Sequence, residues 1–259
     1  MSTVAEFVAS THARVHGQKM ANVTIGLASA KNIAERIDWQ RMSHIANAAR
    51  EHLPQVKEEL AELEVAVREH PEVMARRIFL FGVTTPNRSE DQSIAYALAA
   101  EPFYGVLSPE DLARISFTVP SGKQGKAGFY TSLERSISDG MAALGTDFHP
   151  WALASVHVTE TLRGVGPKVA RMMCAVACPY IPRWTVDLWH QRQLLWAADL
   201  PYAVRVSVAD NAYATLESLW IEYAHRYFEQ EQTFAVQWAT WCAAQGQFVS
   251  HRALWADLA

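Results

Sequence analysis

A chain of 259 residues, half of them hydrophobic and 19% charged, has enough apolar material for one large domain or two small ones. Its formal net charge of −4 and pI near 6.2 exclude attachment to nucleic acid by bulk charge, because neutralising phosphates needs clustered Lys and Arg. Three cysteines (Cys174, Cys178, Cys242), none in a C-x-x-C pair, exclude a disulfide framework and a four-cysteine zinc or iron–sulfur site.

The N-terminus lacks a basic-then-apolar signal pattern. The longest apolar run, around Met172 to Ile181, is too short to span a bilayer. A cytoplasmic monomer without membrane association is therefore expected. No histidine spacing suggests a metal site, and no cofactor or metal is expected.

In chain order, the pattern is helical nearly throughout, and residues 1–75 read as helices. Val56, Leu60, Leu63 and Val67 repeat at four, three and four residues, which predicts an amphipathic helix following Pro54. Thr84-Thr85-Pro86-Asn87-Arg88 reads as a turn. Just before it, Ile78 to Val83 is the only run that tempts toward a strand, and it suits a buried helix equally well. Ser108-Pro109-Glu110-Asp111 supplies an N-cap, a proline for the first helical position and acids for the first turn. Pro120 to Lys126 reads as a loop. It holds Lys123 and Lys126, which suit either a phosphate contact or plain solvation. Phe129, Leu133, Ile137 and Met141 mark another helix, and His149-Pro150 opens a further one over 151–162. Tyr213, Leu216, Trp220, Tyr223 and Tyr227 mark a long late helix. The fold class predicted is all-α.

Between the helix ending near Leu162 and the next, opened by Pro167, lies the turn Leu162-Arg163-Gly164-Val165-Gly166. Gly164 and Gly166 permit positive φ and a close approach of backbone N–H groups to a phosphate. The helix that follows adds its positive dipole end. Such a hairpin grips DNA backbone without reading sequence, although a plain turn between packed helices has the same outline. Lys168 stands in the first turn of that helix. Asp187, nineteen residues further on, sits in Pro182-Arg183-Trp184-Thr185-Val186-Asp187-Leu188-Trp189-His190. Over residues 161–192 five cations (Arg163, Lys168, Arg171, Arg183, Arg192) face one acid, a basic footprint in an acidic chain.

These residues resemble the helix-hairpin-helix DNA glycosylase superfamily, whose members join an L-x-G-V-G-x-K-x-A hairpin to a V-D-x-H segment about twenty residues later. Leu162, Gly164, Val165, Gly166, Lys168 and Ala170 fit the first pattern, and Val186 and Asp187 the second. The wording is most similar to the 8-oxoguanine DNA glycosylase/AP lyase branch. The match is strong over about 150–192 and extends by helical character alone over about 76–150.

The resemblance implies two helical lobes with an active-site cleft between them. Residues 76–186 would form one lobe, including the hairpin at 151–177, and 1–75 with 187–259 the other. It implies double-stranded DNA with a damaged base as partner. Lys168 would be the nucleophile forming a Schiff base at C1′. Asp187 would stabilise the oxocarbenium-like sugar, or simply cap a helix, or both. Arg163, Gly164, Val165 and Gly166 would hold phosphate. The family's histidine two places after the aspartate is Trp189 here, so His190 would stand in for it. Asn87 or Arg88 would be the wedge in the duplex. Phe234, Trp238 and Trp241 would supply an aromatic face to the flipped base, or simply core. Two other readings stay open: a glycosylase for a different modified or foreign base, as in defence against phage DNA, and a non-catalytic helix-hairpin-helix binding module.

Overall fold

In a computed structural model, residues 22–85, 89–119, 121–126, 130–200 and 205–258 are described. The protein is mostly helical, as the periodicity predicts. Eleven α-helices and two small two-stranded sheets are found among these residues. The chain divides into two compact units, one of residues up to Glu58 with Pro182–Ser250, the other of Glu59–Ile181 with His251–Ala259.

The first unit begins with β1 (Asn22–Ile25), which pairs in parallel with β4 (Arg205–Val208). A strand stands here where the sequence reads as helix. Its four residues, Asn-Val-Thr-Ile, are too short a run to show a period. Then come α1 (Leu27–Arg36) and α2 (Trp39–Glu69), a helix of 31 residues that runs through the division between the units. Met42, Ala46, Ala49, Leu53, Val56, Leu60 and Leu63 fall on its buried stripe. Pro54 lies inside this helix instead of preceding it, at the cost of one backbone hydrogen bond to the Arg50 carbonyl. The long apolar stripe on both sides of Pro54 outweighs that loss.

Three further helices complete this unit: α9 (Leu188–Ala197), α10 (Asp210–Tyr227) and α11 (Thr233–Gln245). Its core centres on Trp184 and Trp220, stacked at 5.0 Å with an interplanar angle of 7°. Tyr223 meets both edge-on, at 6.0 and 5.1 Å.

In the second unit, α3 (Pro71–Thr84) is the central element. Every residue from Arg77 to Thr84 is buried, which is why Ile78 to Val83 shows no helical face in sequence. Burial on all sides erases the period. Around it lie α4 (Glu90–Ala100), α5 (Pro109–Ala113) and α6 (Tyr130–Leu144). As expected, Ser108 caps α5, its hydroxyl accepting the Asp111 N–H at 3.1 Å. Between α5 and α6, β2 (Ser116–Thr118) pairs antiparallel with β3 (Gln124–Lys126), so part of the stretch read as a loop is a hairpin strand. Residues 151–162 are not one helix. A 3₁₀ turn over Pro150–Leu153, capped by His149, precedes the short α7 (Val156–Glu160), and α8 (Pro167–Ala177) follows.

Residues 251–258 belong to this second unit, not with the terminal segments. Arg77 holds them: its guanidinium donates to both carboxylate oxygens of Asp257 at 2.6 and 2.7 Å and to the Leu254 carbonyl at 3.0 Å, while Trp255 is buried. This fork holds the Asp257 carboxyl below its ordinary pKa.

The three cysteines are buried, as small core residues should be. No helix among the described residues is long and apolar enough to cross a membrane.

Candidate functional site

The turn joining α7 to α8 is built on a single left-handed residue. Gly164 has φ +78°, and a Cβ there would lie 2.7 Å from the Ser136 hydroxyl. Gly166, expected to share that freedom, instead has φ −87° and ψ 178°, extended backbone open to any residue, and serves as N-cap of α8. A Cβ on Gly166 would meet nothing within 4 Å. Neither conformation nor packing inside the protein demands glycine at 166. Glycine there leaves the backbone uncovered on the outside.

The two glycines should therefore respond oppositely to substitution. Gly164→Ala is expected to cost about 1–2 kcal/mol in urea denaturation, from the left-handed backbone and the displaced Ser136. Gly166→Ala should cost under about 1 kcal/mol, the difference between two modest caps, while weakening duplex binding. Equal stability losses in the two variants would show that Gly166 is held for the fold alone.

Val165 is buried and anchors the turn, its N–H bonded to the Leu162 carbonyl at 3.1 Å. Arg163, Gly164, Gly166 and Lys168 are exposed. Pro167 occupies the first helical position, and the first backbone bond of α8 runs from the Ala170 N–H to the Gly166 carbonyl. The N–H groups of Gly166 and Lys168 thus point out of the helix end with no partner among the described residues.

The basic footprint is smaller than the count of cations suggests. Arg171 is 9% exposed, donates to Glu160 at 2.8 Å and to the Pro167 carbonyl at 3.2 Å, and so adds no free charge to the surface. Arg192 is also buried, with its guanidinium 5.0 Å from the Trp189 ring centroid. Arg163 and Lys168 carry the exposed positive charge of the hairpin.

Lys168 belongs to the unit of Glu59–Ile181 and Asp187 to that of Pro182–Ser250. Asp187 is the N-cap of α9, its Oδ1 accepting the His190 N–H at 3.0 Å, and its side chain is 15% exposed. The three residues before it are held with unusual care. The N–H groups of Trp184, Thr185 and Val186 donate in turn to Glu217 (3.3 Å), Gln237 (2.6 Å) and the Tyr213 hydroxyl (2.6 Å). Gln191 closes the set by donating to the Val186 carbonyl at 3.1 Å. Side chains of α10 and α11 thus take the place of a neighbouring strand and fix the position of Asp187. Glu217 and Gln237 were not legible as site residues. Their only signal was a polar side chain on an otherwise apolar helix face.

Several expected contacts are not made. His190 is 1% exposed and packs edge-on against Trp184 and Trp220 at 5.4 and 5.2 Å, so it does not face outward to meet a phosphate. Phe234 and Trp238 are core, Trp238 donating its indole N–H to the Val249 carbonyl at 3.0 Å. Of that aromatic stripe only Trp241 keeps partial exposure. Asn87 and Arg88 lie outside the described residues. No group of His, Cys, Asp or Glu suited to a metal ion occurs among the described residues.

Comparison with protein-family models, curated proteins and solved structures gives no match for this chain.

Proposed function

We propose that the chain is a DNA base-excision glycosylase with AP lyase activity, acting on an oxidised purine, 8-oxoguanine first, in double-stranded DNA. The observation that carries the reading is the α7–α8 turn. One glycine is imposed by backbone conformation and the other is left bare. Outward N–H groups lie at a helix start, and an exposed lysine stands in its first turn. The motif resemblance through Leu162–Ala170 and Val186–Asp187 supports the same reading, as does the scaffolding spent on the residues before Asp187.

In this proposal the hairpin is the helix-hairpin-helix clamp. Its N–H groups and Arg163 receive the phosphate beside a flipped-out nucleotide. The Asp187 carboxylate stabilises positive charge developing on the deoxyribose as the glycosidic bond lengthens. Lys168, as free amine, attacks C1′. The C1′–N bond breaks, the base leaves with its electron pair and takes up a proton, and the sugar ring opens to an imine on Nζ. Loss of the C2′ proton from that imine expels the 3′ phosphate and cuts the strand.

Borohydride treatment of enzyme with an 8-oxoguanine duplex tests the reading, since it reduces the imine to a stable covalent adduct. Base release without any adduct would reduce the activity to a monofunctional glycosylase. Binding without release across a broad lesion panel would leave a DNA-binding module.

Docking has its own test. Arg163→Glu should weaken duplex binding alike for every sequence and lower the salt slope by about one contact. With Arg171 and Arg192 buried, the slope of the parent protein should itself be shallow. An affinity unchanged by the charge reversal would exclude the hairpin as the docking element.

A further inference from the structure

Most cations of the second unit are committed to acids of the same unit. Among its described side chains, Arg68 pairs with Glu69, Arg76 with Glu101, Arg77 with Asp257, Arg114 with Glu110, Arg171 with Glu160 and Arg252 with Glu62. Lys123, Arg135, Arg163 and Lys168 are exposed and make no ion pair among the described residues. A surface cation that meets no acid of its own chain is left to solvent or to an anionic partner. Arg163 and Lys168 belong to the α7–α8 hairpin. Arg135 lies on α6 and Lys123 in the turn between β2 and β3, so the uncommitted charge extends past the hairpin.

The two places are joined by packing. The Ser136 hydroxyl of α6 lies 2.7 Å from where a Cβ on Gly164 would stand, and it donates back to the Ser132 carbonyl at 3.0 Å. Arg135 is the neighbour of Ser136, which puts its Cα within roughly 11 Å of that of Gly164. We propose that α6 is a second arm of the DNA grip, Arg135 taking a phosphate beyond the one at the hairpin and Lys123 a further one. The proposal rests on the DNA-binding half of the glycosylase reading and not on its chemistry. Duplex backbone fits because cations spread over a helix, a strand turn and a helix start match a run of phosphates, not a single anion. The acids on α6 itself are Glu134 and Asp139. Glu134 is two residues from Ser136 and so faces away from the hairpin side. Asp139 is exposed one turn after Arg135 on the same face, and it repels any phosphate held there.

Affinity of the intact protein for an undamaged duplex, followed by fluorescence anisotropy across a salt series, tests the second arm. Arg135→Gln should lower affinity about 3–10-fold at low salt and reduce the salt slope by about one, with thermal stability unchanged. Combined with Arg163→Gln, the two losses should add in log affinity, because separate phosphates are involved. Asp139→Asn should tighten binding, and weaker binding by that variant would count against the arm. Arg114→Gln is the control. It removes an exposed cation already paired with Glu110 and should leave affinity within about two-fold.

Parent-like binding by Arg135→Gln, with weaker binding by Arg163→Gln, would overturn the second arm and leave the hairpin as the docking element. An equal loss in Arg114→Gln would reduce the effect to total charge and overturn it as well. Absence of duplex binding by the parent protein would remove the DNA reading and this proposal with it. Salt-dependent binding through both arms, with no base released from any lesion, would uphold the second arm while the glycosylase reading falls.

Discussion

Lys168→Gln is expected to leave a folded, DNA-binding protein that forms no borohydride adduct and cuts no strand. The structural cost should be small. Lys168 is exposed at the second helical position of α8, it makes no ion pair among the described residues, and glutamine is almost as good a helix former. Its stability should change by no more than about 0.5 kcal/mol, as for other surface substitutions. The chemical cost should be close to total. An amide nitrogen lends its lone pair to the carbonyl and cannot add to C1′, so no imine forms. The loss expected in strand cleavage is roughly four to six orders of magnitude, the scale seen when a covalent nucleophile is removed. Gel-resolved trapping on a lesion-bearing duplex, with thermal denaturation as the control, measures both. Undiminished trapping in the variant would move the nucleophile to another amine, with Lys123 the next to examine.

Asp187→Asn is the complementary experiment, and the choice of asparagine matters. Asp187 caps α9, and alanine there would cost about 1 kcal/mol through the lost cap. Asparagine caps about as well as aspartate, so the helix start and the backbone bond to His190 should survive. What disappears is the negative charge. If the carboxylate stabilises the developing sugar cation, base release should fall by roughly two to four orders of magnitude, with duplex affinity little altered. Single-turnover base release and a binding isotherm read the two quantities separately. An Asn variant within a few fold of the parent would make Asp187 a helix cap alone.

The sequence discloses the helical class because most helices expose one face, and the 3.6-residue period survives in α2 and α10. It fails where that asymmetry is absent. α3 is buried on every side from Arg77 to Thr84 and reads as either element, while β1 is too short for alternation to register. Pro54 misleads for a different reason, because a proline is a local signal and the stripe on both sides of it is a tertiary one.

At the candidate site, the hairpin residues and the Asp187 cap are legible because their spacing is local. The partners that hold Trp184, Thr185 and Val186 are 33, 52 and 27 residues away, beyond any local pattern. The outward turn expected of His190 and the free charge expected of Arg171 are both overturned by packing, with neighbours that lie 6 and 30 residues away for the one and 11 for the other. Two indoles enclose His190, and Glu160 neutralises Arg171.

The interleaving of the two units along the chain imposes an order on synthesis. β1 finds its partner only when β4 has been made, since Asn22 pairs with Arg205. At ribosomal speeds the interval is roughly ten to forty seconds. For that time a strand with unpaired edges and the apolar stripe of α2 have no finished core to join, which is the state that invites association with other nascent chains. The middle unit, Glu59 to Ile181, is synthesised without interruption and can collapse early, but Arg77 stays without the Asp257 carboxylate until residues 251–258 have followed. Each unit therefore closes on a segment translated long after its first helix, and a ribosome stalled before residue 205 would leave both unfinished.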